Sequence, residues 1–366
     1  IKRKKGTKRK NLNELNMPSD SNFLHTKLCH LLGCKYPIIQ TAMGWVSTPK
    51  LVVASLEAGA FGFLAGAVMN TSEIEMSINK IQEKTKNPFG VNFHFFQPDA
   101  SKIVDIVIKK KIKAVSYGRS PNRELIKKLK EEGVLCVPTV GSSKHARKAE
   151  DLGADIIVVQ GSEGGGHTGK VPTKELLAQV LDVVEIPVVA AGGFKDGKGL
   201  ISALRQGAIG VAMGTRFMMT TDSPVPETTL ERYLLTNKEG IIVTDKFDGL
   251  SHRLLRNKLI EDIEKSSPIK LLIMALKNGL RYKRMTGSSF LDLGKAAVSI
   301  IMDDPLKPAQ ALMAVNSPVI IQKAMVDGYP DQGAMPSGDV AGEIDNLLSC
   351  EELIQSIAEE ARGLLG

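Results

Sequence analysis

The chain has 366 residues, 43% hydrophobic and 24% charged, a balance that excludes a disordered or fibrous chain and supports a sizeable core. The net charge of +8 does not point to a nucleic-acid partner. Within residues 1–16, Lys2, Arg3, Lys4, Lys5, Lys8, Arg9 and Lys10 stand against Glu14 alone, which leaves only +2 for the rest of the chain. Residues 1–20 therefore read as a basic tail, whether disordered, a targeting signal or an expression remnant, on a chain that starts at Ile1.

From residue 36 onward, short runs rich in Val, Ile, Ala and Phe alternate with amphipathic stretches, the pattern of β/α units around a parallel sheet. Eight strands are predicted, at Tyr36–Thr41, Phe61–Ala65, Gly90–Phe93, Ala114–Tyr117, Val134–Thr139, Asp155–Gln160, Pro187–Ala190 and Ile209–Met213. Helices are predicted at Thr71–Lys86, Asn122–Glu132, Lys144–Leu152 and Gly197–Gln206. A doubly wound sheet competes with a closed barrel, but its usual GxGxxG after the first strand is missing. Glycine-rich segments follow the sixth, seventh and eighth strands instead, where barrel enzymes build their sites. An α/β fold, a (β/α)8 TIM barrel over residues 21–220, is the expectation. Residues 221–366 are expected to form a helical C-terminal cap with little strand, including helices at Thr228–Thr236, Lys270–Lys277 and Glu351–Arg362.

Cys29, Cys34, Cys136 and Cys350 form no CxxC pair and do not cluster with histidines at zinc-ligand spacing, so neither a metal site nor a disulfide framework is indicated. No apolar run reaches 18 residues and no secretory signal is seen, which gives the expectation of a soluble cytoplasmic protein; a homo-oligomer is left open.

The most informative stretch is Gln160-Gly161-Ser162-Glu163-Gly164-Gly165-Gly166-His167-Thr168-Gly169, after the sixth strand. Three successive glycines let backbone approach a flat or anionic ligand, and a histidine at the end of such a loop is placed for proton chemistry near neutral pH. The plain alternative is a flexible turn with a surface histidine. Two further segments, Ala191-Gly192-Gly193-Phe194 and Met213-Gly214-Thr215-Arg216, follow strands seven and eight, the usual phosphate site of this fold.

The ordered segments PIIQTAMGW, FGVNF, VVQGSEGGGHTG, VVAAGGF and VAMGTRF resemble the nitronate monooxygenase (2-nitropropane dioxygenase) family, which also includes FMN-dependent enoyl thioester reductases. The resemblance covers residues 28–220 clearly, and PSGDVAG at 336–342 also looks familial. It implies that Ala42, Met43 and Gly44 pack on the flat isoalloxazine, that Asn92 and Gln160 hydrogen-bond the flavin or its ribityl chain, and that Lys144 faces its N1 and C2=O. It further implies that Gly165 approaches the cofactor, that Gly192, Gly193, Gly214 and Thr215 cradle the phosphate, and that His167 is catalytic. FMN rather than FAD is expected, because one phosphate cradle is present and no adenosine-binding motif is seen. Each assignment has a bland counterpart: core packing for Met43, a satisfied strand-end amide for Asn92, a solvated helix start for Lys144. His94, His145 and His252 lack a comparable glycine setting and read as structural or exposed.

The first loop departs from the family's usual Pro-Met-Ala-Gly-Gly, with Ala42-Met43-Gly44-Trp45-Val46 in its place. With the Asp248–Arg253 segment, this variant resembles a branch associated with acyl-CoA and steroid-ring catabolism. Three functions follow as expectations: oxidation of nitronates or nitroalkanes with O2, which leads; NAD(P)H- and FMN-dependent chemistry on an enoyl or acyl-CoA thioester, with Arg253, Arg256, Arg281, Lys283 and Arg284 meeting the CoA; and a non-catalytic flavin-binding protein. All three expect a small-molecule ligand and no nucleic acid or membrane.

Overall fold

The computed structural model describes residues 23–97, 99–118, 120–266 and 308–365, with side chains from 317 onward in the last stretch. The basic tail, the predicted helix at Lys270–Lys277, and Arg281, Lys283 and Arg284 lie outside the described residues.

Eight parallel strands close into a barrel in the order β1-β2-β3-β4-β5-β6-β8-β9, sealed by β1 against β9, with Ile39 opposite Ala212. They are β1 Ile38–Gln40, β2 Phe61–Ala65, β3 Gly90–Asn92, β4 Ala114–Tyr117, β5 Leu135–Val140, β6 Ile157–Gln160, β8 Val188–Ala191 and β9 Val211–Met213. Each falls on a predicted strand. The reason is that strands enclosed by helices are buried on both faces and read as unbroken apolar runs; β2, β4, β8 and β9 have no residue exposed.

The helices are cut by local chemistry. Helix α3 (Thr71–Lys84) opens with a capping box, in which Asn70 accepts from the Glu73 amide while Glu73 accepts from the Asn70 amide. In α4 (Ala100–Lys109) the buried residues Ala100, Ile103, Val104 and Val107 form one stripe. Helix α8 (Gly197–Gln206) runs from an Asp196 cap to Gly207 at φ 109°, a left-handed stop that glycine adopts without strain. Below the barrel, α1 (Lys27–Leu32) buries Leu28 and Leu32, and Thr26 Oγ1 donates to Ile209 O, plugging the end opposite the glycine loops.

Past β9 come α9 (Thr215–Met218) and α10 (Glu227–Leu234). The expectation of little strand needs correction here. A three-stranded antiparallel sheet runs β10-β11-β7, with β10 at Ile241–Thr244, β11 at His252–Leu255 and β7 at Gly166–His167. After β11 come α11 (Lys258–Glu264), α12 (Pro308–Met325) and α13 (Cys350–Gly363). The last returns to the barrel wall, where Glu360 accepts from the Gly197 amide at 2.7 Å. There a Cβ on Gly197 would come within 2.6 Å of the Ala361 nitrogen.

Candidate active site

A cavity of about 380 Å³ opens at the C-terminal ends of β1, β6, β8 and β9, within the ~300–1,000 Å³ range of small-molecule sites. Ala42, Met43, Gly44, Gln160, Gly165, His167, Gly192, Gly193, Gly214 and Thr215 all line it. Asn92 and Lys144 do not. The Asn92 amide donates to Ser116 O at 3.1 Å and Ser116 Oγ at 3.2 Å, a tie between β3 and β4. Lys144 sits exposed in the first turn of α6 (Ser143–Asp151).

The glycine loop is shaped by its protein neighbours. Glycine at 164 leaves room for the Gln160 side chain, whose Nε2 donates to His167 O at 2.9 Å. Glycine at 165 admits the backbone of Ser337 and Gly338. That C-terminal segment is stitched down by the Gly338 amide donating to Thr215 Oγ1 at 2.8 Å and the Asp339 amide to Glu163 O at 3.1 Å. Asp339 keeps a buried Oδ1 with no partner among the described residues, and burial raises its carboxyl above the usual range. The familial PSGDVAG stretch is thus a wall of the site, a role its residue types did not announce.

The fit to a flavin phosphate rests on two places. Gly192 and Gly193 hold φ of 100° and 80°, and a Cβ at Gly192 would stand 2.9 Å from Thr173 Oγ1 and 3.0 Å from the Gly164 nitrogen. Gly214 opens α9, where first-turn amides have no intrahelical acceptor. Among the described residues the lining carries no lysine or arginine, so backbone dipoles would meet the anion's charge. Met43, Phe194 and Met218 supply apolar surface beside it, and Trp45 lines the same cavity with φ 61°, a left-handed conformation that costs a tryptophan strain.

The chemistry centres on three side chains that the hairpin brings together. Strand β11 pairs with β7 so that His252 lies opposite His167, their rings 4.6 Å apart. Asp248 sits in the turn between β10 and β11, where its Oδ1 accepts from the Leu250 amide. Its other oxygen, Oδ2, lies 2.8 Å from His167 Nε2 and 3.0 Å from His252 Nδ1. Asp248 is 1% exposed and His252 2%, whereas the His167 side chain is half exposed. Burial pushes the Asp248 carboxyl up, but the hydrogen bonds and charge of two imidazoles outweigh it and hold the group well below the usual carboxylate range. Both rings therefore donate to an ionised carboxylate. Burial holds His252 below the ordinary imidazole value, against the pull of Asp248. One ring nitrogen of each histidine and a carboxylate oxygen of Asp248 lie within 4.8 Å of one another, and the separations to Asp248 Oδ2 are those of hydrogen bonds.

His252, read from sequence as structural or exposed, is thus a buried partner of the catalytic candidate. The signal available was the spacing Asp248-Gly249-Leu250-Ser251-His252, an Asp four residues before a His across a glycine turn.

The family model described as nitronate monooxygenase matches residues 25–105 and 97–360. The chain is 43% identical over 341 residues to a Mycobacterium tuberculosis protein named (3aS,4S,5R,7aS)-5-hydroxy-7a-methyl-1-oxo-octahydro-1H-indene-4-carboxyl-CoA dehydrogenase, covering 92% of this chain and 96% of that one. It is 32% identical to a probable nitronate monooxygenase of Staphylococcus aureus, covering 65% of this chain and 80% of that one. Its fold is similar to that of FabK from Thermotoga maritima, with a TM-score of 0.75 and 30% identity over 93% of this chain and 97% of that one. By this match across nearly its whole length, carrying the barrel, the glycine loop and the segment that closes over it, the chain belongs to the nitronate monooxygenase family of oxidoreductases.

Proposed function

We propose that the protein is an FMN-dependent oxidoreductase acting on the CoA thioester of a fused-ring carboxylic acid, exchanging electrons with NAD(P)H. The carrying observation is the far wall of the cavity. Ile321, Met325, Pro336 and Val340, all from beyond the barrel, close it with apolar surface, and a relative matching 92% of the chain is a CoA-thioester dehydrogenase. The relative named as a probable nitronate monooxygenase leaves about a third of this chain unmatched. An extended apolar wall suits a hydrocarbon ring system better than a small nitroalkane, whose burial would leave it unfilled.

When bound, FMN would supply the two-electron acceptor or donor. Gly192, Gly193, Gly214 and Thr215 would hold its phosphate, and Ala42, Met43 and Gly44 would flank its ring. The chain's own residues do the rest. The apolar wall excludes water, and His167, held by Gln160 at its carbonyl and Asp248 at its ring, holds or passes on a proton at the rim of the cavity. Arg253, whose guanidinium donates to Ser162 O at 2.8 Å, braces the glycine loop.

Nitronate oxidation with O2 uses the same cradle and histidine and remains the second reading. The two separate on one experiment. The purified protein should be yellow with released FMN identified by mass, and the hydroxylated hydrindane carboxyl-CoA, added without oxygen, should bleach the flavin. Bleaching by ethyl nitronate with nitrite release, and none by the thioester, would reverse the order. A colourless protein that takes up no flavin would overturn both.

A further inference from the structure

We propose that His252, in the wall of the cavity, is a second catalytic residue that uses an unprotonated Nε2 as an acid–base group, with Asp248 as the positioning residue that couples it to His167. The inference rests on the substrate reading above only for which proton is moved.

The geometry leaves His252 one free nitrogen. Nδ1 is committed to Asp248 Oδ2 at 3.0 Å, and because that carboxylate is ionised, Nδ1 carries the hydrogen. Nε2 is then a lone pair. It is buried, it has no hydrogen-bond partner among the described residues, and His252 lines the cavity. A buried acceptor without a partner is costly and uncommon, and is met in native proteins where a ligand or water completes it. Gly166 stands next to it, and an added Cβ there would lie 3.9 Å from Nε2, an ordinary contact.

The charge arrangement fits a group that takes a proton only in the reaction. Asp248 and His167 are the titratable groups that act on His252, and burial is the largest influence, favouring the neutral ring. A substrate proton arriving at Nε2 breaks its C–H bond and forms N–H. The electron pair stays on the substrate carbon, conjugated with the carbonyl, and the new imidazolium is balanced by the carboxylate already bound at Nδ1. The single carboxylate serves both rings, so a positive charge on one opposes a second on the other. His167, half exposed at the rim, and His252, buried behind it, form one unit that holds one extra proton.

The test uses the flavin-loaded protein with ¹⁵N-labelled histidine. NMR should find His252 neutral, hydrogen on Nδ1 and none on Nε2, through neutral pH, with Asp248→Asn disturbing both histidines together. A ring protonated on Nε2 at neutral pH, two histidines titrating independently, or a stoichiometric zinc ion lost in the variants would overturn the proposal. His252→Asn keeps a donor near the Nδ1 position and deletes Nε2. With flavin content and circular dichroism unchanged, it should slow flavin bleaching about 100-fold or more with whichever probe works on wild type, the hydrindane carboxyl-CoA or neutral nitroethane, both of which must lose an α-proton. Adding His167→Asn should cost much less than the product of the single losses. An unchanged rate in His252→Asn would overturn the proposal. Failure of both probes on wild type would sink the substrate reading, and a His252 ring protonated on Nε2 would overturn this proposal independently of it.

Discussion

The backbones of Gly165 and Gly338 touch: a Cβ added to Gly165 would stand 2.6 Å from the Gly338 nitrogen and 2.6 Å from the Ser337 carbonyl carbon. Backbone cannot swing aside as a side-chain tip does. Gly165→Ala should therefore push the Ser337–Asp339 segment off the glycine loop and destabilise the protein by about 1–3 kcal/mol, the range for overpacking. Thermal unfolding measures it, and the same variant should lose flavin more readily. Unaltered melting would mean that the loop yields instead.

Acid should weaken the fold in two stages. The His252 imidazole is lowered by burial, so between the ordinary histidine pKa of about 6.5 and its folded value the unfolded chain binds a proton that the native site refuses. Stability then falls as pH drops below about 6.5, by up to ~1.4 kcal/mol per pH unit for one proton. Asp248 is also lowered, by its two imidazole partners against the penalty of burial. Its contribution is present above the ordinary Asp value of about 3.9 and fades as pH falls toward the folded one. Urea midpoints from pH 8 to pH 5 should show the first stage in wild type and a flatter profile in His252→Asn; parallel profiles would remove His252 as its source.

Gly214 begins α9 with φ −103°, a conformation open to any residue, and an added Cβ would lie 3.1 Å from Thr41 Oγ1. That contact is tight and the Thr41 hydroxyl must give by a few tenths of an ångström; with this local shift Gly214→Glu should fold, yet carry a carboxylate to the place proposed for the phosphate. Flavin per chain should drop to near zero while circular dichroism is retained. Normal occupancy would remove Gly214 from the cradle.

Trp45 is the sole tryptophan and lines the cavity. Its emission should be strongly quenched in the flavin-loaded protein and recover when the flavin is stripped, and back-titration with FMN should restore quenching at one per chain. Emission indifferent to FMN would place the flavin away from the first loop.

What could be read in the sequence was set by the range of the forces involved. The barrel strands announce themselves because burial on both faces makes runs such as Phe61–Ala65 continuously apolar. The glycine pair at the end of β8 was legible because positive φ at Gly192 and Gly193 demands that residue type. Strand β7 is only two residues long, too short for any alternation to register, and its partner β11 comes after α10. The Asp248 to His167 contact spans 81 positions, and a pairing of that reach leaves no local trace. For Asn92 the sequence could not name the partner: a strand-end amide looks the same whether it is to meet a flavin or to tie two strands, as its bonds to Ser116 do.

The β10-β11-β7 sheet splits the proton-handling cluster between two stretches of chain, one issuing from the barrel and one from the segment that follows it. An exchange of that later segment between relatives, made to alter which molecule is accepted, would carry Asp248 and His252 with it and leave His167 behind. Under the proposed roles, recognition and reactivity are inherited together here, and grafting a new cap onto this barrel means grafting half of the proposed acid–base cluster as well.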